Sequence, residues 1–145
     1  MSKIILGADH AGFQMKDAIK KYLDRLGLKY EDLSPTYVDG DDYPEAAQKV
    51  ALRVVRDKAQ GILICGTGVG MGMAANKVKG IRAAACEDEK SGRLARNDND
   101  ANILCLGARI IDEKMAEKVV KSFLSSEFLG GRHQRRVDLI KAMEH

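Results

Sequence analysis

"ILICGTGVGMG", residues 62–72, runs from apolar residues through Cys65 into a stretch with glycine at every second position, 66, 68, 70 and 72. Ile-Leu-Ile-Cys shows no alternation of polar and apolar side chains, which is the pattern of a strand covered on both faces. The glycines permit a sharp turn and close backbone approach. A helix pattern resumes at Gly70 and runs to Lys79. Strand, glycine turn and helix together make one unit of a parallel α/β sheet.

Working outward, the same alternation recurs. "KIILGA" (3–8) is a continuous apolar run. Met15, Ala18, Ile19, Tyr22, Leu23 and Leu26 then fall at spacings of three and four, one face of a helix over 12–26 that ends at Gly27. "LKYEDL" (28–33) is a weaker strand, and "SPTYVDGDDYP" (34–44) has turn chemistry throughout. Pro44 suits the first turn of a helix reaching about Lys58. Further on, "IRAAAC" (81–86) and "NILCLG" (102–107) read as strands, and 88–97 and 112–125 as helices. The tail from Glu127 carries a last helix with Val137, Ile140 and Met143 on one side. The expected fold is α/β: a doubly wound, Rossmann-like, five-stranded parallel sheet in a three-layer αβα sandwich. Residues 1–145 form a single domain, with no repeat and no linker. Such a fold puts sites at the carboxyl ends of strands, where loops meet helix N-termini.

Composition narrows the class. With 45% hydrophobic and 31% charged residues, the chain can build a full core. It contains no apolar run long enough to span a membrane, and its start lacks a signal-peptide pattern, so a cytoplasmic protein is expected. The net charge of +3 is mild, and most charges alternate in sign. "GGRHQRR" (130–136) is the exception, with three arginines, one histidine and no acid. Few aromatics and no recognisable nucleic-acid module accompany it, so a small anion such as phosphate fits better than nucleic acid. Cys65, Cys86 and Cys105 are odd in number and form no CxxC, against disulfides and a zinc cluster. Cys86 and Cys105 read as small buried hydrophobes.

The glycine loop fails three familiar patterns on specific residues. A dinucleotide fingerprint counted from Gly66 needs glycine where Met71 stands, and no Gly-Lys-Ser/Thr end follows for a Walker loop. A phosphatase-like cysteine loop needs arginine at that same Met71. What remains is a cysteine before successive backbone amides, which can converge on an anion at a helix N-terminus. Such a field favours thiolate. A tight turn with a merely buried cysteine fits the loop about as well. Asp9 and His10 end the first strand on the same carboxyl edge; alone, Asp9 reads as a helix N-cap and His10 as a loop residue. Carboxylate, imidazole, thiol and the Thr67 hydroxyl together meet the co-location step for an active site.

"DHAGF", "DYP", "GILICGTGVGM", "AANKVKGIRAA", "NDANILCLGAR" and "GGRHQRRV" occur in this order over nearly the whole chain. In these motifs the sequence resembles the ribose-5-phosphate isomerase B family, which also includes galactose-6-phosphate isomerase subunits. The resemblance implies an aldose–ketose isomerase of the pentose phosphate pathway that converts ribose 5-phosphate and ribulose 5-phosphate through an enediolate, with no metal and no cofactor. It implies a homodimer or dimer of dimers with shared active sites, and a C-terminal helix packed on a partner subunit.

Residue by residue, the resemblance makes Cys65 the base and Thr67 a hydroxyl linked to ring opening. Backbone amides from Gly66 through Gly68 and Val69 to Gly70 would hold the enediolate oxygens. Asp9, His10, Tyr43, Asn99 and Arg109 would contact the sugar phosphate. Arg132 and Arg136 would bind its phosphate, with His133 between them. Without the resemblance, those arginines read as a solvated basic tail. The chemistry agrees, because enolisation needs a base and oxyanion donors, and guanidinium forks suit a dianionic phosphate.

The sequence departs from the pattern at Asp98, where many members carry a histidine assigned to ring opening, and at "SPTY" (34–37), where Gly-Thr is common. Asp98 as a base, Thr67 with His10 or water, or a substrate needing less help would each answer the first departure. Isomerases of allose 6-phosphate or galactose 6-phosphate are the nearest alternatives. A flavodoxin-like FMN or nucleotide binder is more distant, since the fingerprints and stacking aromatics are missing.

Overall fold

The computed structural model describes residues 3–145. Its elements alternate as the sequence leads one to expect: β1 (Ile4–Ala8), α1 (Phe13–Arg25), β2 (Tyr30–Asp32), α2 (Tyr43–Asp57), β3 (Gln60–Cys65), α3 (Val69–Ala75), β4 (Ala83–Ala85), α4 (Glu89–Asn99), β5 (Ile103–Gly107), α5 (Glu113–Leu124) and α6 (Arg132–Ala142). Five parallel strands stand in the order β2-β1-β3-β5-β4.

The apolar strands carry two cores at once. Along β1, Ile4, Leu6 and Ala8 enter the cluster with Met15, Ile19 and Phe123, on the face covered by α1, α4 and α5. Ile5 points the other way, into the cluster with Val50, Val54 and Met71 under α2 and α3. Alternate side chains of a strand leave opposite faces, so a run apolar at every position needs helices on both sides. Cys86 and Cys105 are buried free thiols in these cores, and burial pushes both upward in pKa.

Several boundaries differ from expectation, including β2 and β4, which are shorter than the expected 28–33 and 81–86. The helix expected over 70–79 ends at Ala75, because the Asn76 side chain pairs with the backbone of Ala83, giving and receiving hydrogen bonds of 3.0 and 2.7 Å. That pairing ties the chain to β4, which is itself only three residues long. Helix α4 continues to Asn99, past the expected 97. Its start carries a capping box, in which the Ser91 amide donates to the Asp88 carboxylate at 2.7 Å.

Helix α6 begins at Arg132, so the basic cluster lies on the helix rather than in a tail before it. Only Val137 of α6 is buried, while Leu139, Ile140 and Met143 are exposed. One buried ion pair braces α1 against β2. The Lys16 ammonium, with no exposed side-chain surface, meets the Asp32 carboxylate at 2.5 Å, and Lys20 adds a second contact at 3.0 Å.

Candidate active site

Strand order reverses direction between β1 and β3: β1 leads outward to β2, and β3 leads the other way to β5 and β4. The loops leaving the two strands therefore diverge and open a crevice at their carboxyl ends. A cleft of about 430 Å³ lies there, with Asp9, His10, Tyr43, Cys65, Gly66, Thr67, Val69, Gly70 and Arg109 on its walls. Every one of these was expected from the sequence; Ala11 and Met73 complete the lining.

Cys65 is the last residue of β3, and its side chain is almost wholly enclosed. The Gly68 amide donates to its sulfur at 3.1 Å. Gly68 has φ +81°, a left-handed conformation that folds the chain back on the thiol and that glycine adopts without cost. Thr67 stands exposed at the turn, with its hydroxyl oxygen accepting the Val69 amide at 3.2 Å. Gly70 lets the Tyr43 ring lie close: a Cβ there would come within 2.5 Å of the ring, which would have to shift.

The end of β5 fixes the loop from behind. The Ala108 and Arg109 amides donate to the carbonyls of Cys65 and Gly66 at 2.8 and 2.9 Å. The Arg109 guanidinium lies over Gly66, where a Cβ would come within 2.8 Å of its Nη1. An arginine thus shares the cleft with the thiol and has no acidic partner among the ion pairs of the described residues.

Asp9 is buried and accepts the Gly12 amide at 3.0 Å. It is not the N-cap of α1, which is Gly12 with no side-chain cap; it closes the turn that precedes the helix. His10 is held by a residue that sequence reading passed over. Asp41 Oδ1 accepts both the His10 amide, at 2.7 Å, and Nδ1 of the ring, at 3.1 Å. That hydrogen bond raises the imidazole pKa above its ordinary value; burial opposes, and the Asp9 charge adds to the rise. Asp41 lay in a segment that looked like turn chemistry only. Its signal is Asp-Gly-Asp at 39–41, where Gly40 at φ +66° closes a turn whose Asp41 amide donates to the Val38 carbonyl.

The remaining expected residues form a second group. Asp98 and Asn99 end α4, and Arg132, His133 and Arg136 open α6. None of them lines the Cys65 cleft. His133 Nε2 lies 3.5 Å from Asp98 Oδ1, which joins the two helices. Arg132 and Arg136 are exposed and one turn apart, so they share a face of α6. Asn99 borders a larger groove of about 610 Å³, with Arg82, Ile140 and Met143 among its walls. One chain thus gathers the thiol, its amides and one arginine in one place, and the paired arginines in another.

The chain is similar to known proteins over its full length. It is 43% identical over 145 residues to ribose-5-phosphate isomerase B of Escherichia coli, covering 99% of this chain and 97% of that one. The solved ribose-5-phosphate isomerase B of Clostridium thermocellum matches it with a TM-score of 0.95 at 42% identity, covering 98% of this chain and 97% of that one. The Mycoplasma genitalium ribose-5-phosphate isomerase B, solved with bound ribulose-5-phosphate, matches with a TM-score of 0.92 at 44% identity, covering 97% and 94%. The family model described as Ribose/Galactose Isomerase matches residues 4–140, and the chain belongs to that family.

Proposed function

We propose that this protein is an aldose–ketose isomerase that interconverts ribose 5-phosphate and ribulose 5-phosphate. The observation that carries the reading is the Cys65 sulfur in the switch-point cleft with the Gly68 amide 3.1 Å away. The Cys65 thiolate takes the proton from C2 of the open-chain aldose. The C–H electron pair moves toward C1, and the C1 oxygen becomes the enediolate oxyanion. The abstracted proton returns from the Cys65 thiol to C1 while the O2 proton passes to O1, which leaves a C2 carbonyl and a C1 hydroxyl, the ketose. Backbone amides between Gly66 and Gly70 offset the charge on the two oxygens.

Binding falls to the other groups. Asp9, His10, Tyr43 and Arg109 hold the sugar phosphate from within the cleft. A dianionic phosphate calls for more positive charge than His10 and Arg109 supply. Arg132 and Arg136, with His133 and Asn99, provide it from a second copy of the chain packed across the cleft. The exposed apolar side chains of α6 support such a contact. The working form is then a homodimer or a dimer of dimers, acting in the cytoplasm. Asp98 arrives with the same copy and, with Thr67, assists ring opening.

A coupled assay across pentose and hexose phosphates, run with and without chelator, tests the reading. Ribose 5-phosphate is expected to turn over faster than allose 6-phosphate or galactose 6-phosphate, with no loss in chelator. No turnover of ribose 5-phosphate would overturn it.

A further inference from the structure

The β2–α2 loop delivers to His10, on the wall of the cleft, a carboxylate that none of the reacting groups accounts for. Asp41 accepts two hydrogen bonds from one residue, the backbone amide and ring Nδ1 of His10. A carboxylate only accepts, so Nδ1 carries a proton and Nε2 is left for the cleft. The grip is built into the loop. Gly40 closes the turn that aims Asp41, and Tyr37 packs edge-on against Phe13 of α1 with ring centroids 5.5 Å apart.

We propose that Asp41 is a positioning residue of the site: by accepting from both the His10 amide and ring Nδ1 it fixes the imidazole and leaves Nε2 for an anionic ligand. The ligand, a phosphorylated sugar, rests on the isomerase reading; the hold on His10 does not. The other titratable groups around the cleft are Asp9 from the end of β1, Tyr43 from α2, Cys65 from β3 and Arg109 beyond β5. Asp9 acts on the ring in the same direction as Asp41. Asp41 alone among them bonds to the ring.

Two variants and two readouts decide this. Asp41→Asn keeps an acceptor oxygen and removes only the charge, while Asp41→Ala removes both. Only three histidines occur in the chain, so the His10 ring can be followed by NMR titration, with His10→Asn identifying its signal. The wild-type midpoint is expected above 6.5 and to fall toward that value in Asp41→Asn. The KM for ribose 5-phosphate at pH 7.5 is expected to rise about two- to fivefold, the range of a partly exposed charge pair, with kcat little changed. Asp41→Glu is expected to restore part of the loss. An unchanged His10 midpoint in both variants, or a wild-type KM across the pH range in Asp41→Ala, would overturn the proposal. If no sugar phosphate turns over at all, the isomerase reading fails while the titration still decides whether Asp41 governs His10.

Discussion

The Gly68 amide points at the Cys65 sulfur, 3.1 Å away, across a turn that only four residues build. The proposed base and its nearest hydrogen-bond donor therefore move together. Their shared position is set by the backbone of β5: a Cβ at Gly68 would lie 3.1 Å from the Leu106 carbonyl carbon. A thiol held by its own loop needs little rearrangement when charge develops beside it, which is where preorganised amides contribute most to a rate.

Cys65→Ala is expected to lower kcat/KM for ribose 5-phosphate by about 10²–10⁴, the range for loss of a positioned general base. Thermal unfolding should stay within a few degrees of wild type, because a small side chain replaces a small one. Turnover near the wild-type rate would remove Cys65 from the proposed role.

Gly107→Ala tests the support beneath the loop. A Cβ at this position would stand 2.6 Å from the Thr67 carbonyl group, a backbone neighbour that cannot swing away. The expected cost is about 1–3 kcal/mol, seen as a Tm lower by about 3–10 °C, with activity falling further because Thr67 is displaced. Calorimetry and a steady-state assay on the same sample check both parts.

Mixing two inactive variants tests the shared site. Cys65→Ala and Arg136→Ala subunits are each expected to be inactive alone. Their mixed dimer contains one site with both groups intact, so equal mixing should recover about a quarter of wild-type activity. No recovery, once subunit exchange has been verified, would place both groups in one chain's own site.

Asp98→Asn separates ring opening from enolisation. Ribose 5-phosphate is mostly a closed furanose, whereas ribulose 5-phosphate is open. The variant is expected to slow the aldose direction at least about tenfold and the ketose direction less. Equal losses in both directions would argue for a binding role beside His133, its partner at 3.5 Å.

Acid stability should follow Asp32. Burial raises its pKa, but the Lys16 ammonium, the Ser34 amide and Lys20 outweigh this and hold the carboxyl below the usual range. A depressed folded-state pKa gives stability that is full above the unfolded value, near pH 4, and is lost as pH falls through the folded one. The wild-type Tm should therefore drop on acidification below about pH 4, and Asp32→Asn should flatten that limb. At neutral pH, Asp32→Ala leaves the buried Lys16 ammonium with only the longer Asp17 contact at 3.4 Å and should cost about 3–5 kcal/mol. Urea unfolding at several pH values provides the comparison.

By itself the sequence determined the fold class and pointed to most of the residues that line the candidate cleft. Apolar runs bounded by glycine are local signals, and a strand apolar at every position has no stable place except between two layers of helices. Residues next to strand ends, such as Asp9, His10 and Cys65, inherit their place from that fold. The strand order, with β5 between β3 and β4, depended on pairings between segments far apart in the chain. So did Asp41, whose partner lies 31 residues away and whose own neighbours read only as a turn. The tertiary structure alone separated the paired arginines of α6 from Cys65, because helix packing, not spacing in the chain, decides which side chains share a cleft.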